Sequence, residues 1–347
     1  HRRAMLDYGE HPATDIDYII QSMRAVYDVK IPLKRGTANI RRVNINAAPM
    51  QIDELRRLNE AGLGTYQVFQ ETYHRPTYRL MHPEGTLKGD YRWRLYVMHR
   101  AMEAGIDDVG VGVLFGLYDW KYEMMALVHH GLELEGRYGV GPHTVSVPRI
   151  KAANNSPMTE REKYHLSDDA FRKVLTIIRL ALPYTGLILT ARETADFRKS
   201  ALRLGITQMD ASTRIGVGAY ADGSAGQTDD RQQFLLGDTR SLEDLIRDLA
   251  KEGYITSFCT AGYRCGRTGK CIMDLLRTGA EGKFCKLNAV LAFREWIDDF
   301  ASAETRTAAD AVLDKELNQI RLQQPRIYDR FAETYRKVCG GERDVYF

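Results

Sequence analysis

The sequence predicts an α/β protein whose parallel sheet closes as a TIM-type (β/α)8 barrel. Short apolar segments alternate with amphipathic helical patterns, a rhythm that is typical of βα units. Seven predicted strands can be counted, and the chain opens at His1 almost directly on a strand, so we expect the first βα unit to lie upstream. The alternative is an open doubly wound sheet, but the sequence has no Gly-x-Gly-x-x-Gly motif to support it.

Each predicted strand is a short apolar run that ends at a polar loop, and the runs cover residues 4–8, 42–47, 65–70, 108–115, 143–148, 186–190 and 206–211. The helical patterns between them cover residues 14–29, 52–61, 91–104, 120–135, 167–182 and 194–204. Ser167, followed by two aspartates, is a suitable N-cap with an acidic first turn. A polar, glycine-rich loop at 219–230 precedes further helices at 241–252, 294–300 and 308–320 and a charged tail that carries Cys339.

Composition excludes several classes of function. The chain has 347 residues, of which 44% are hydrophobic, so it can bury a large core. Its net charge is only +3 and its basic residues are spread out, which argues against a nucleic-acid partner. No apolar run reaches the roughly 18 residues that a membrane span needs. We therefore expect a soluble, cytoplasmic protein with no membrane partner.

Four of the five cysteines lie in the segment 257–288, at positions 259, 265, 271 and 285, and the 258 residues before Cys259 contain none. Thiolates grouped in a glycine-rich, arginine-rich loop suit a soft metal or an iron–sulfur cluster. A disulfide framework fits poorly because the chain is long and cysteine-free over most of its length. The alternative is that these are ordinary buried thiols that behave as small hydrophobic side chains.

Polar residues at the ends of the predicted strands form a candidate active site. In a (β/α)8 barrel the residues that end each strand and enter the following loop build the site. Any single one could be structural, and the array as a whole is what favours a site. The residues are Gly9, Glu10, Asn46, Gln70, Glu71, His74, His143, Ser146, Arg149, Arg192 and the run from Asp210 to Thr213.

Long segments of the chain resemble a known family. They include YGEHP at 8–12, RRVNINAAP at 41–49, GTYQVFQETYHRPTYRLMHPEG at 64–85, GVLFGLYDWKYE at 112–123, GPHTVSVPRI at 141–150, RLALPYTGLILTARE at 179–193 and SFCTAGYRCGRTG at 257–269. Together they resemble the HydG family, the radical S-adenosylmethionine (SAM) tyrosine lyases that mature FeFe-hydrogenase. The resemblance reaches to about residue 320 and is far longer than a short motif.

The resemblance implies a barrel that binds SAM on a 4Fe-4S cluster held by a CX3CX2C loop. That loop is absent from this sequence and is expected upstream. The implied reaction splits the Cα–Cβ bond of L-tyrosine into p-cresol and dehydroglycine (2-iminoacetate), which is then turned into CO and cyanide for the hydrogenase active-site cluster. The implied partners are tyrosine, free cysteine, hydrogenase maturation proteins and a reductant such as ferredoxin or flavodoxin. We expect the barrel at residues 1–253 and an auxiliary-cluster segment at 254–347.

The resemblance also suggests roles for single residues. Gly9 and Glu10 match the pair that meets the amino group of SAM, and we place Asn46 and Arg149 in the same cofactor site. Gln70 and Glu71 would lie near SAM or tyrosine, and Arg192 matches the arginine that pairs with the carboxylate of the amino acid. His143 matches the ligand of a labile extra iron. Cys259 and Cys285 match two ligands of an auxiliary iron–sulfur cluster.

The sequence departs from the family pattern at three places. Gly262 stands where the middle cluster cysteine belongs, and Cys265 is the candidate substitute. Asp210 begins a run that is Ser-Ala-Gly-Ser in the family, and Leu287 replaces a proline after Cys285. Two alternatives therefore stay open: a tyrosine lyase that stops at 2-iminoacetate, as in the thiamine pathway, and a non-catalytic, diverged cluster-binding scaffold.

Overall fold

The protein is described by a computed structural model, and the described residues are 1–33, 35–151, 153, 159, 162–216, 219–220, 232, 234–264, 269–279 and 282–347. They form a seven-stranded sheet in the order β1-β4-β5-β6-β7-β8-β9 and a separate antiparallel pair, β2-β3. The five pairings from β4 to β9 are parallel. The predicted α/β fold is therefore confirmed.

All seven predicted strands are present, at β1 (Arg3–Asp7), β4 (Arg42–Asn46), β5 (Tyr66–Gln67), β6 (Val109–Gly112), β7 (Thr144–Ser146), β8 (Gly186–Leu189) and β9 (Gln208–Met209). β1 has the predicted length and begins one residue earlier, and the other six strands are shorter than predicted. After β5, however, the backbone N–H groups of Val68 and Gln70 still donate to the carbonyls of Gly110 and Gly112. The pairing of this strand thus continues to its predicted end.

The helices that follow the strands are α1 (Ile16–Asp28), α2 (Ile52–Glu60), α6 (Trp120–Tyr138), α7 (Asp168–Ala181) and α8 (Ala195–Ala201). Their starts are fixed by side chains that accept hydrogen bonds from the first turn. Ser167 accepts from the N–H of Ala170 at 3.2 Å, as the sequence predicts, and Thr194 accepts from the N–H of Phe197 at 3.3 Å.

At three places before residue 105 the local structure differs from what the sequence predicts. The hairpin of β2 (Lys30–Pro32) and β3 (Thr37–Asn39) and the helix α3 (Arg75–Met81) were not predicted, because strands of three residues and a seven-residue helix give almost no periodic signal. The predicted helix at 91–104 is two helices, α4 (Tyr91–Leu95) and α5 (Val97–Glu103). They are separated at Tyr96, whose φ of −88° and ψ of 10° depart from helical geometry.

The remaining helices are α9 (Leu242–Lys251), α10 (Ala261–Arg264), α11 (Gly269–Thr278), α12 (Gly282–Phe300), α13 (Ala303–Gln323) and α14 (Pro325–Gly340). The predicted charged tail with Cys339 is thus largely a helix. Pro325 occupies its first turn, and Phe331 and Val338, seven residues apart, are buried on one face. Along the described residues no helix is both long and apolar enough to cross a membrane.

The chain divides into two compact units. The barrel unit comprises residues 6–20 and 44–239, and the C-terminal unit comprises residues 1–5, 21–43 and 240–347. The C-terminal unit has its own apolar core, with Leu291, Phe293 and Ile297 at its centre. Within it, Arg2 and Arg41 each lie 2.6 Å from the same oxygen of the buried Glu295. The predicted functional division at residue 253 stays a prediction.

Candidate active site at the strand ends

One face of the central strands is lined by glycines and polar side chains. In β6, Val109 and Val111 are buried on the opposite face, while Gly110 and Gly112 alternate with them. A Cβ atom at Gly110 would lie 2.7 Å from Cγ of Gln67 and 2.8 Å from Oγ1 of Thr144. Larger residues at these positions would collide with their neighbours, so the glycines leave room for polar side chains on this face.

The carboxyl end of β5 presents two of the predicted residues. Gln70 is only 3% exposed, and its Nε2 atom has no hydrogen-bond partner among the described residues. Glu71 has a φ of +67°, a left-handed conformation that is uncommon for a residue other than glycine and is often found at functional sites. Its carboxylate lies 3.3 Å from the guanidinium of Arg94 and 3.6 Å from Nζ of Lys88.

A buried glutamate fixes the loop that follows Glu71. Glu123 of α6 is fully buried and accepts hydrogen bonds from the hydroxyl of Thr72 and from the N–H of Tyr73, the latter at 2.7 Å. Burial raises the pKa of the Glu123 carboxyl, and the hydrogen bonds from Thr72 and Tyr73 oppose that shift. The loop is therefore held by α6 rather than by water, which fixes the position of Glu71.

Arg192 follows β8 and lies against an aromatic ring. Its guanidinium carbon lies 3.4 Å from the ring centroid of Phe234, and within the described part of the chain no ion pair involves it. Burial lowers the pKa of Arg192 to about 10, and the charges of Glu71, Glu193 and Asp210 act in the opposite direction. A half-buried cation without a counter-ion is well placed to bind an anion.

The ends of β1 and β4 lie beside each other. The N–H of Tyr8 donates to the carbonyl of Asn46 at 2.9 Å, and the Asn46 side chain hydrogen-bonds to the carboxylate of Asp7. Burial raises the pKa of Asp7, and the charge of Asp210 raises it further. Asp7 ends β1 and Asp210 follows β9, the two outer strands, so their interaction indicates that the sheet curls into part of a barrel.

Glu10 reaches the same region as Glu71. Burial raises the pKa of Tyr78 to about 12; the charge of Arg94 opposes the shift, and those of Glu71 and Glu10 add to it. Both carboxylates therefore lie near Tyr78. The neighbouring Gly9 is exposed, with no atom within 4 Å of a Cβ built on it. The structure thus brings Glu10, Glu71 and Arg192 to one end of the sheet.

Arg149 is held by two carboxylates. It donates to both oxygens of Glu193, at 2.8 and 2.6 Å, and to Asp168 at 2.6 Å, and its guanidinium faces the rings of Phe171 and Phe197. Burial lowers its pKa, but the hydrogen bonds with Glu193 and Asp168 outweigh burial and the net shift is upward. These contacts tie β7 to α7 and β8, and the cofactor role of Arg149 stays a prediction.

His143 lies at the other end of the strands. It immediately precedes β7, and its Nε2 atom is 4.0 Å from Oδ2 of Asp108, which immediately precedes β6. Grouping His143 with the residues that end the strands was therefore wrong, because the strand begins at the next residue. Its role as an iron ligand stays a prediction.

The cysteines belong to the C-terminal unit. Cys259 has a φ of +49° and is exposed, and Cys271 in α11 and Cys285 in α12 are exposed as well. The predicted substitute ligand, Cys265, lies outside the described residues, while Gly262 lies in α10. In the ranges that the structure describes, no group of three or more His, Cys, Asp or Glu side chains could hold a metal ion. The described residues therefore do not supply a complete ligand set for a second cluster.

Comparison with known proteins agrees with this architecture. Residues 146–255 match the family model of the Biotin and Thiamin Synthesis associated domain. The crystal structure of HydG, a maturase of the [FeFe]-hydrogenase, has a TM-score of 0.92 at 42% identity, with 100% of this chain and 73% of that chain covered. HydG from Carboxydothermus hydrogenoformans has a TM-score of 0.75 at 35% identity, with 98% and 70% covered. Methylornithine synthase (PylB), at 18% identity and a TM-score of 0.56, shares the fold over 76% of this chain.

Among curated proteins, the 2-iminoacetate synthase of Escherichia coli (strain K12) is 30% identical over 256 residues, which is 72% of this chain. That of Salmonella typhimurium (strain LT2) is 29% identical over 227 residues. The chain spans 62% and 58% of the length of these two relatives. The fold that the chain shares with the HydG structures is a barrel of the radical SAM class. More narrowly, the chain belongs to the HydG family, as the sequence resemblance predicted.

Four residues of the site were not predicted from the sequence. Lys88 and Arg94 contact Glu71, Glu123 holds its loop, and Phe234 lies against Arg192. Each contact joins positions far apart in the chain, so local pattern carries no signal for it. The resembling segment 112–123 ends at Glu123, which is the nearest hint that the sequence offers.

Proposed function

We propose that this chain is the barrel and C-terminal part of a radical SAM lyase that cleaves the Cα–Cβ bond of L-tyrosine to give p-cresol and 2-iminoacetate. The observation that carries the proposal is Arg192, a half-buried guanidinium without a carboxylate partner in the described chain, at the carboxyl end of β8. The similarity to 2-iminoacetate synthases and HydG maturases supports the same reaction.

Arg192 binds the α-carboxylate of tyrosine in this proposal. Its planar fork can donate two parallel hydrogen bonds to a carboxylate, and its partial burial strengthens that attraction relative to water. Gln70, with an unpartnered buried amide nitrogen, can donate to a polar atom of the substrate or cofactor. Glu71 is held in place by Arg94 and Lys88, and its carboxylate can accept from an ammonium group.

The cofactor is proposed to bind at the same strand ends. When bound, SAM and its 4Fe-4S cluster would supply the radical chemistry that removes a hydrogen atom from tyrosine. Glu10 suits the ammonium group of SAM because it is a carboxylate on an exposed loop, and Gly9 beside it lets the ligand approach the backbone. Asn46 is the last residue of β4 and lies beside them. Asn46 and Arg149 are the two further residues that we propose to contact the cofactor.

The proposal includes the later steps of the family reaction, in which 2-iminoacetate is turned into CO and cyanide for assembly of the FeFe-hydrogenase active-site cluster. They would need an auxiliary cluster at Cys259 and Cys285 with a third thiolate from Cys265, and a labile iron held by His143. Free cysteine, other maturation proteins and a ferredoxin or flavodoxin would be the partners, in the cytoplasm. The alternative, a lyase that stops at 2-iminoacetate, is favoured by Gly262, which offers no ligand where the family has a cysteine.

The test is anaerobic turnover of the full-length protein with SAM, dithionite and L-tyrosine, in the wild type and in Arg192→Ala. We expect Arg192→Ala to lower p-cresol formation at subsaturating tyrosine at least tenfold, because a charge-assisted bidentate pair is lost. Arg57→Ala is the matched control, since Arg57 lies on the exposed surface of α2 and pairs with Asp17. Equal rates in Arg192→Ala and the control would contradict the assignment.

A further inference from the structure

The segment Phe234–Asp238 returns from the glycine-rich loop and is fixed to the end of β8. The N–H groups of Gly237 and Asp238 donate to the carbonyl of Ala191 at 2.8 and 3.1 Å. A Cβ at Gly237 would lie 2.6 Å from the carbonyl carbon of Glu193 and 2.7 Å from the carbonyl oxygen of Arg192. Only glycine allows this approach, so the segment is locked to the backbone on both sides of Arg192.

A buried ion pair anchors the far end of this segment. Asp238 accepts from Arg198 at 2.5 Å, and both side chains are almost fully buried. The same guanidinium also donates to the carbonyl of Asp210 at the end of β9. Because Arg198 joins the segment to the end of β9 and the Ala191 carbonyl joins it to the end of β8, Phe234 is carried by a support fixed at two points.

Phe234 presents the face of its ring to Arg192. The separation of 3.4 Å between the guanidinium carbon and the ring centroid is that of flat stacking. Stacking restricts rotation about the terminal bonds of the Arg192 side chain. It leaves the N–H groups at the edge of the guanidinium plane able to donate hydrogen bonds. The carboxylates whose charges act on Arg192 are those of Glu71 after β5, Glu193 beside it and Asp210 after β9.

We propose that Phe234 is a positioning residue that orients the Arg192 fork toward the α-carboxylate of the substrate and thereby sets selectivity for free amino acids over amines. This inference rests on the proposed function, in which Arg192 binds that carboxylate. Phe234 contributes orientation rather than charge. Its loss should therefore weaken binding of carboxylate-bearing ligands and leave ligands without a carboxylate unaffected.

The test compares the dissociation constants of L-tyrosine and tyramine, which lacks the carboxylate, by calorimetry on the full-length protein without turnover. Phe234→Leu keeps the apolar volume and removes the π face, and we expect it to weaken L-tyrosine about three- to tenfold, in keeping with a partly desolvated cation–π contact. Tyramine should bind as before. Phe234→Tyr restores the ring and should bind L-tyrosine within about twofold of the wild type.

The control is Phe300→Leu, which removes a ring that Arg2 faces at 5.8 Å in the C-terminal unit. It should change neither constant. Unchanged L-tyrosine affinity in a folded Phe234→Leu protein, or equal weakening of both ligands, would overturn the role of Phe234 while leaving the function of Arg192 intact. If the wild type itself does not prefer L-tyrosine to tyramine, the carboxylate role of Arg192 fails, and the inference fails with it.

Discussion

Gly237→Ala should destabilise the barrel unit by roughly 3 kcal/mol. The added Cβ would meet three backbone atoms of Arg192 and Glu193 at 2.6 to 2.8 Å, and backbone cannot rotate away as a side chain can. Overpacking of this kind costs about 1–3 kcal/mol. Weakening of the two hydrogen bonds to the Ala191 carbonyl adds about 0.5–1.5 kcal/mol for each.

Thermal unfolding followed by circular dichroism measures this effect. With an unfolding entropy of about 2.1 cal/mol/K per residue over the whole chain, 3 kcal/mol corresponds to a fall in Tm of roughly 4 °C. Gly136→Ala is the matched control, since Gly136 lies on the exposed side of α6 and no atom lies within 4 Å of its built Cβ. It should raise Tm slightly, because alanine favours the helix by up to about 1 kcal/mol.

A Gly237→Ala protein that melts with the wild type would refute the reasoning. It would mean that the segment can leave β8 without cost, and that Phe234 is not held against Arg192 in solution. A fall in Tm together with weaker binding of L-tyrosine would instead support both the close approach at Gly237 and the positioning of Arg192. The Gly136→Ala control separates this outcome from a general intolerance of added methyl groups.

Three further predictions follow from single contacts. Burial lowers the pKa of His130 to about 4. As pH falls below about 6.5, the unfolded chain therefore takes up a proton before the folded chain does, and the free energy of unfolding drops by roughly 3 kcal/mol between there and pH 4. His130→Gln keeps an acceptor for the Tyr73 hydroxyl and should remove that drop in urea titrations at the two pH values, whereas an unaltered drop would contradict the prediction. Asp210→Ser should lower the dissociation constant of L-tyrosine about two- to fivefold in calorimetry, because it removes a negative charge that acts on Arg192. Weaker binding of L-tyrosine would refute this prediction. Gly262→Cys should raise iron per chain after anaerobic reconstitution by restoring the family thiolate, whereas an unchanged iron content would show that the segment does not hold a cluster.

The strands and most helices could be predicted because burial imposes a local pattern. Val109 and Val111 alternate with glycines, which indicates the strand β6, and Ser167 is an N-cap residue, which indicates the start of the helix α7. The N-terminal end of β7 shows the limit of this approach. His143 opens the predicted strand at 143–148 and immediately precedes β7, so it lies at the end of the sheet away from Arg192, although we grouped it with the residues that end the strands.

Partners of charged residues could not be predicted, because they depend on tertiary contacts. Arg149 and Arg192 are both strand-end arginines in the sequence, and nothing local distinguishes them. The structure pairs Arg149 with Glu193 and leaves Arg192 stacked on Phe234 without a carboxylate in the described chain. The difference decides which arginine is free to bind a substrate.

The most direct test of the account is anaerobic turnover of the full-length protein with SAM, dithionite and L-tyrosine, with p-cresol and CO followed side by side. The account predicts p-cresol in proportion to the tyrosine consumed, whether or not CO appears. CO in addition would extend the activity to the later steps, and its absence would favour a lyase that stops at 2-iminoacetate. No p-cresol from protein that carries its reduced SAM cluster would contradict the proposed lyase and favour a non-catalytic scaffold.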